Sequence, residues 1–534
     1  MSLRSVVPAL ALASAHCFSA AAAANEPPIV TAGGETLAGQ WLAPGEAVFR
    51  GIPYSAAPVG DLRWRPPAPH RPRAGRQSAL EFAPACVQTE RLYDWERSIA
   101  TAFGNADKFT PPPLRTSEDC LYLNVWTASL GGRPPAPVMV WIHGGSNVNG
   151  EGSSPWTEGS ALARQGAVVV TINYRLGVFG FLAHPALSAE SPKRVSGNYA
   201  LLDQLEALRW VKANVRAFGG DPDRITAFGE SAGAIDLQAL MASPAADGLF
   251  HRAITQSGAL AFITTRLAGA EAQGTALATA AGAATVDELR RQPAADLLKV
   301  VEEQRSAGKL GIGPVVDGWL LPDVPGRVFA AGEQRKVPLL TGSNGREMTT
   351  LSGLLPPIER TVPAYRKWLA QTAGPAASRL EELYPAKSDA EVAAALVDAF
   401  SDLVFTCTSR MAARATARAG TPAYLYQFTR VPPGGDSLGA YHAAEITYVF
   451  GTRRPWLPQE AVDGRIAAAV QRYWLAFAAS GKPSVEGLPE WPTHDGVSDR
   501  YLDIGPVIEA KAGLRRAGCD VMETLYPALW GGAR

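Results

Sequence analysis

The string Gly229-Glu230-Ser231-Ala232-Gly233 sets a serine hydroxyl between two glycines, where a short apolar run (225–228) gives way to a helical pattern starting near residue 232. Small residues two positions either side of a serine let the backbone turn sharply enough for its hydroxyl to project, and a helix N-terminus behind it favours developing negative charge. The string by itself recurs by chance in glycine-rich chains, and a serine at a helix start can be no more than an N-cap. The strand–turn–helix context makes Ser231 a candidate nucleophile for acyl transfer.

Such a hydroxyl needs a base, and the base needs an acid to fix its tautomer, in the chain order Ser, Asp/Glu, His for a strand–turn–helix nucleophile. Seven histidines are available. His16 lies in an N-terminal leader, His70, His184 and His494 in polar or proline-rich loops, His251 between a helix and a strand, and His143 in "WIHGG" (141–145). His442, in "LGAYHAAEITYVFG", remains as the base. Glu347 follows the apolar run "VPLLTGS" (337–343), at the strand edge where such acids collect. A lone glutamate there is usually surface charge, so position in the chain is what selects it.

A third stretch, "VMVWIHGGSNVNG" (138–150), runs from apolar residues through two glycines into Ser146, Asn147 and Asn149. It reads as a strand buried on both faces whose end lets backbone approach something closely. The polar side chains beyond it either bond neighbouring loop backbone or meet a polar substrate.

The elements that would carry these residues alternate. "AVVVTINYR" (167–175), "ITAFGES" (225–231), "RAITQSG" (252–258) and "VPLLTGS" are short β-branched runs. Between the first two, Leu201, Leu202, Leu205, Leu208, Trp210 and Val211 recur at helical spacing until Gly219 and Gly220. This pattern predicts an α/β fold with a large, mostly parallel sheet and helices on both faces. Residues 28–55 read as a small antiparallel sheet, 263–312 and 351–420 as helical insertions over the main one, 107–119 as a proline-rich surface loop, and 464–483 as a late amphipathic helix. No repeat or long linker divides residues 25–534, which read as one domain.

Lys+Arg and Asp+Glu each total 50 among 534 residues, which argues against nucleic-acid binding. Residues 1–24 have the short basic start, apolar stretch and small-residue end of a cleavable signal peptide, predicting a secreted or periplasmic protein. No later apolar run is long enough for a stable membrane anchor. Beyond Cys17 in the leader, Cys86, Cys120, Cys407 and Cys519 remain. An even count in an exported chain favours two disulfides, with three pairings open. No metal-ligand spacing is present, so no metal and no cofactor is expected.

Together these segments resemble the type B carboxylesterases, the α/β-hydrolase family of cholinesterases and bacterial para-nitrobenzyl esterases. The resemblance runs through "FRGIPYSAAPVGDLRWRPP" (49–67), "SEDCLYLNVW" (117–126), "WIHGG", "NYRLGVFGFL" (173–182), "GNYALLDQLEALRWVKANVRAFGGDP" (197–222), "FGESAGA" (228–234) and "AITQSG" (253–258). It implies a Ser231–Glu347–His442 triad, oxyanion donors on the backbone of Gly145, Ser146 and Ala232, disulfides Cys86–Cys120 and Cys407–Cys519, and an Arg63–Glu118 ion pair. Gly144, Asn147, Asn149, Glu230 and Ser257 complete the expected pocket-lining set. The chain departs from the family where Ser146 replaces a glycine, Asn147 an aromatic, and Met348 and Ala200 glycines.

The function that follows is hydrolysis of a small-molecule carboxylic ester through an acyl-enzyme, with the polar residues after the glycines favouring polar or carboxylated esters. An amide or thioester hydrolase of the same fold, and a non-catalytic adhesion relative, are the rival readings.

Overall fold

The computed structural model describes residues 26–131 and 134–531. The expected signal peptide, 1–24, lies outside them.

Among the described residues eleven strands form the main sheet: β1 (Gln40–Ala43), β2 (Glu46–Pro53), β3 (Tyr122–Thr127), β4 (Ala136–Ile142), β5 (Val168–Ile172), β6 (Gly220–Glu230), β7 (Arg252–Gln256), β8 (Leu339–Asn344), β9 (Ala423–Phe428), β10 (Arg500–Ile504) and β11 (Ile508–Ala512). Their spatial order is β11-β10-β9-β8-β7-β6-β4-β5-β3-β2-β1. From β5 across to β10 every neighbouring pair is parallel, and antiparallel strands close both edges.

The apolar runs are explained by burial on two faces. Side chains alternate across a strand, so Val138, Val140, Ile142, Val168 and Val170 enter one core while Met139, Trp141 and Val169 enter the other. The first core is closed by Leu201, Leu205 and Leu208 of α1 (Tyr199–Asn214) and Leu237 of α2 (Ala232–Met241). The second is closed by Trp474 and Phe477 of α3 (Ala461–Ser480). Parallel strands covered on both faces read as continuous hydrophobic runs rather than alternating ones.

The amino-terminal region differs from its reading as one small sheet. Ile29–Ala32 and Glu35–Ala38 form a hairpin joined by Arg76–Ser78, whereas β1 and β2 extend the main sheet, with Phe49 opposite Val125. The insertions are helical, including Leu267–Ala280, Ala294–Ser306, Val362–Ala373 and Cys407–Arg418. The helical run 389–418 is long and apolar enough to cross a membrane, yet most of its apolar window is buried inside the protein. Cys86 is bonded to Cys120 and Cys407 to Cys519. Arg63 clasps Glu118 through both carboxylate oxygens.

Candidate active site

Strands β4, β6, β7 and β8 are consecutive neighbours and parallel, so their C-terminal ends open on one edge. The register aligns Ile142 with Gly229, Glu230 with Gln256, and Gln256 with Gly342. The chain therefore leaves this edge through His143 and Gly144, through Ser231, through Ser257, and through the short turn bearing Glu347. Functional groups gather at such an edge because the loops beyond it are free to vary while the strands are not.

Ser231 stands between β6 and α2 with φ 53° and ψ −122°. Few non-glycine residues adopt this conformation, and it is held by neighbours. Its N–H donates to the Gln256 carbonyl at 2.9 Å and its carbonyl accepts from Ile235 N–H at 2.9 Å. A Cβ on Gly233 would lie 2.0 Å from the Ile142 carbonyl oxygen, so the turn can be this tight only with glycine there.

His442 is buried, and its Nδ1 lies 2.6 Å from Glu347 Oε2. A carboxylate on that side selects the tautomer with its proton on Nδ1 and leaves Nε2 free to act as a base. Glu347 is fully buried rather than a surface charge; its Oε1 also accepts from Ser257 Oγ at 2.6 Å and Asn344 N–H at 2.7 Å. Behind it, the Asn344 amide donates to Tyr441 O (2.7 Å) and Glu445 Oε2 (2.6 Å), and Gln256 Nε2 donates to Glu445 Oε1 (2.9 Å). Glu230 faces the other side of the imidazole, Oε1 3.2 Å from Nε2 but poorly aligned for a hydrogen bond. Burial pushes the Glu230 carboxyl up. Burial would push the His442 imidazolium down, but Glu230 and Glu347 outweigh it and hold it above its usual value.

The loop after β4 supplies the opposite wall. Gly145 has φ 107°, and a Cβ there would fall 2.2 Å from Asn149 O. Its carbonyl accepts from the N–H groups of Val148 (3.1 Å) and Asn149 (3.0 Å), which curls the loop back. Ser146 (φ 57°) and Asn147 (φ 60°) follow in the left-handed region, so the serine in the glycine position takes up a glycine-like conformation. The amide of Asn147 donates to Asp236 Oδ1 at 2.9 Å and that of Asn149 to Thr89 O at 2.6 Å. Both asparagines line the pocket, but both N–H2 groups are engaged by the protein.

A cavity of about 580 Å³ joins these parts. Gly144, Gly145, Ser146, Ala232, Glu230, Ser231 and His442 all line it; Ser257 and Glu347 stand behind the imidazole. Its lining includes the apolar Val178, Phe181, Leu182, Ile312 and Phe405 and also Tyr93, Glu96, Glu151, Trp156 and Arg454. Arg454 is buried: its Nη2 lies 3.5 Å from Glu96, its guanidinium carbon lies 5.6 Å from the centre of the Trp156 ring and 5.3 Å from that of Trp456, and its Nε and Nη1 have no hydrogen-bond partner among the described residues.

Sequence reasoning missed Asp236, Glu445 and Arg454. Asp236 did leave a signal, as the one charge in the mostly apolar stretch "AGAIDLQALM" after Ser231. Arg454, in "GTRRPW", carried none.

The model of the carboxylesterase family matches residues 28–522. The chain is 41% identical to fumonisin B1 esterase of Sphingopyxis macrogoltabida, over 83% of this chain and 81% of that protein. It is 34% identical to para-nitrobenzyl esterase of Bacillus subtilis (strain 168), over 84% of this chain and 88% of that one. A solved PNB esterase superposes with a TM-score of 0.78 at 32% identity, covering 92% of this chain and 99% of the other. The architecture is that of the α/β-hydrolases, and the chain belongs to the carboxylesterase family, as a carboxylesterase.

Proposed function

We propose that this carboxylesterase works through Ser231, His442 and Glu347 by way of an acyl-enzyme. His442 Nε2 takes the Ser231 hydroxyl proton as Oγ attacks the ester carbonyl, and the carbonyl electrons move onto oxygen. The N–H groups of Gly145, Ser146 and Ala232 receive that oxyanion; losing one such donor typically costs about 3–4 kcal/mol of transition-state stabilisation. The proton on Nε2 then passes to the departing alkoxide as the C–O bond breaks. Water, deprotonated in the same way, returns the acid and free Ser231. Glu347 holds the Nδ1 proton in place throughout and stabilises the imidazolium.

The observation that carries this reading is the Nδ1 bond of His442 to a fully buried glutamate, with Ser231 in its strained turn on the same cavity. A fluorophosphonate serine probe should label the wild type and not Ser231→Ala, and an ester, thioester and amide panel should show esters far ahead. Faster amide or thioester turnover at that serine establishes the rival hydrolase reading instead.

A preference for polar or carboxylated esters rests on Arg454 rather than on the asparagines, whose amides are engaged elsewhere. A buried guanidinium on the cavity wall, paired with Glu96 only at 3.5 Å, suits a substrate carboxylate, because charge interactions strengthen in a desolvated site. Replacing Arg454 by Gln should cut kcat/KM for a carboxylated ester about tenfold or more while sparing a neutral ester of equal size. Equal losses on both substrates refute the preference. The two disulfides and the leader support a secreted or periplasmic enzyme acting on small-molecule esters.

A further inference from the structure

Asp236 sits on the first turns of α2, fully buried, and the reaction scheme above has no use for it. Both of its oxygens are met by neutral amides: Asn147 Nδ2 donates to Oδ1 at 2.9 Å and Gln204 Nε2 to Oδ2 at 2.6 Å. Burial pushes its carboxyl up to about 7 against the pull of those two bonds. A carboxylate held among neutral groups is costly, and an apolar residue in its place would leave both amides without an acceptor. The group it holds explains its presence.

Asn147 is the second of two successive non-glycine residues in the left-handed region, and the first, Ser146, is a proposed oxyanion donor. Asparagine tolerates that conformation and serine less so, so the turn persists only if the surroundings impose it. Its fastenings are few. The Asn147 carbonyl accepts from Gly177 N–H at 2.7 Å, Tyr174 Oη donates to His143 O at 2.6 Å, and the Asn147 amide donates to Asp236. The last ties the turn directly to the helix that begins at Ala232, the third proposed oxyanion donor, whereas the other side-chain contact to Asn147, from Tyr174 Oη to Oδ1, is long at 3.5 Å. We propose that the buried Asn147–Asp236 hydrogen bond clamps the Ser146–Asn147 turn to α2 and so sets the spacing of the oxyanion donors, which makes Asp236 a positioning residue for ester cleavage. The inference rests on the assignment of Gly145, Ser146 and Ala232 as those donors.

The clamp predicts a pattern that a merely space-filling pair does not. Asp236→Asn keeps an acceptor for Asn147, and Gln204, whose Oε1 has no partner among the described residues, can turn its amide over to meet the new N–H2. Asn147→Asp sets two carboxyl groups against each other. Asn147→Asp combined with Asp236→Asn restores one donor and one acceptor with the direction reversed. Donor misplacement acts on the transition state and not on substrate binding, so Asn147→Asp should lower kcat about ten- to a hundredfold with KM within about twofold. Affinity for an aryl trifluoromethyl ketone, which forms the tetrahedral oxyanion on serine, should fall in step with kcat/KM. Asp236→Asn should stay within about fivefold of wild type, and the double variant should regain most of what Asn147→Asp lost. Asn147→Ala, which removes the donor without adding a charge, should also lose kcat and ketone affinity. Wild-type kcat in Asn147→Ala overturns the proposal whether or not Asn147→Asp folds, and so does a folded double variant no better than Asn147→Asp. If Ser231→Ala turns over esters at the wild-type rate, the proposed function fails instead.

Discussion

Glu347 and the Gly145–Asn147 loop face each other across Ser231 and are held in opposite ways. Three donors converge on Glu347, from His442, Ser257 and the Asn344 backbone, and a second buried carboxylate, Glu445, ties Asn344 and Gln256 behind it. The loop has no such convergence. It depends on left-handed turns at Ser146 and Asn147, and its side-chain ties are scattered along it, with Tyr174 on the His143 carbonyl, Asn147 on Asp236, Asn149 on the Thr89 carbonyl and Gln88 on Gly150. Many bonds onto one carboxylate make a position that tolerates losing any one of them. A strained turn fastened at few points is sensitive to each. By resemblance the chain departs from its family on both sides, at Met348 beside Glu347 and at Ser146 and Asn147 in the loop, but of these only Ser146 and Asn147 take left-handed backbone.

Removing the nucleophile joins the two halves into one failure and gives the largest effect. Ser231→Ala should lower kcat for an aryl ester by about 10⁶, and His442→Ala by a similar factor, with unchanged thermal unfolding. Turnover within about a hundredfold of wild type, measured after removing contaminating esterase with a serine probe, breaks the comparison at its centre.

On the acid side, Glu347→Gln keeps the shape but presents an amide to His442 Nδ1, and should cost about 10⁴ in kcat by favouring the wrong tautomer. Ser257→Ala removes one of the three bonds onto Glu347 and should cost about tenfold or less, because two remain. A larger loss from Ser257→Ala than from Asn147→Ala would reverse the contrast between a redundant side and a sparsely fastened one.

The pH profile probes the group between the halves. His442 must be neutral to accept the serine proton, and an ionised Glu230 stabilises its cation. Glu230 therefore raises the pH at which the base becomes available. Glu230→Gln should move the acid limb of kcat/KM to lower pH by about 1 unit. A limb that stays in place or moves up shows that Glu230 does not charge the imidazole.

The same contrast governs what could be read in the sequence. Strands β4 to β8 were legible because burial on both faces leaves unbroken apolar runs, and the turn bearing Ser231 because strand, turn and helix are local. Glu347 was legible only through chain order and resemblance; locally it looks like surface charge, and its burial comes with partners as far away as Ser257, 90 residues before it, and His442, 95 residues after it. The asparagines were visible as polar residues beside the glycines, but what meets Asn147 lies 89 residues further on. No local pattern encodes that pairing. The amino-terminal strands were misjudged for a related reason, since β2 pairs with β3 some 75 residues away. Local chemistry reaches the strand ends, and the long-range bonds that aim the groups there do not show.

Each half also has its own covalent brace, which gives the smallest predicted difference. Cys86–Cys120 adjoins Gln88, whose side chain bonds both the N–H and the carbonyl of Gly150 at 2.8 Å, at the far end of the oxyanion loop. Cys407–Cys519 anchors the helix Cys407–Arg418, from which Thr408 and Ser409 bond the carbonyls of Gly258 (2.8 Å) and Gly342 (3.2 Å) beside Ser257 and β8. The separations are 34 and 112 residues, and the longer loop loses more denatured-state entropy when closed. On chain entropy alone the second bridge is worth about 1 kcal/mol more than the first. Paired Cys→Ser variants should both unfold at lower denaturant, the 407/519 pair more so. Activity should follow the opposite order: well below its unfolding transition, the 86/120 variant should lose more kcat, because the loop it braces has fewer other fastenings. If the 407/519 variant loses more of both, the oxyanion loop is held as firmly as the acid.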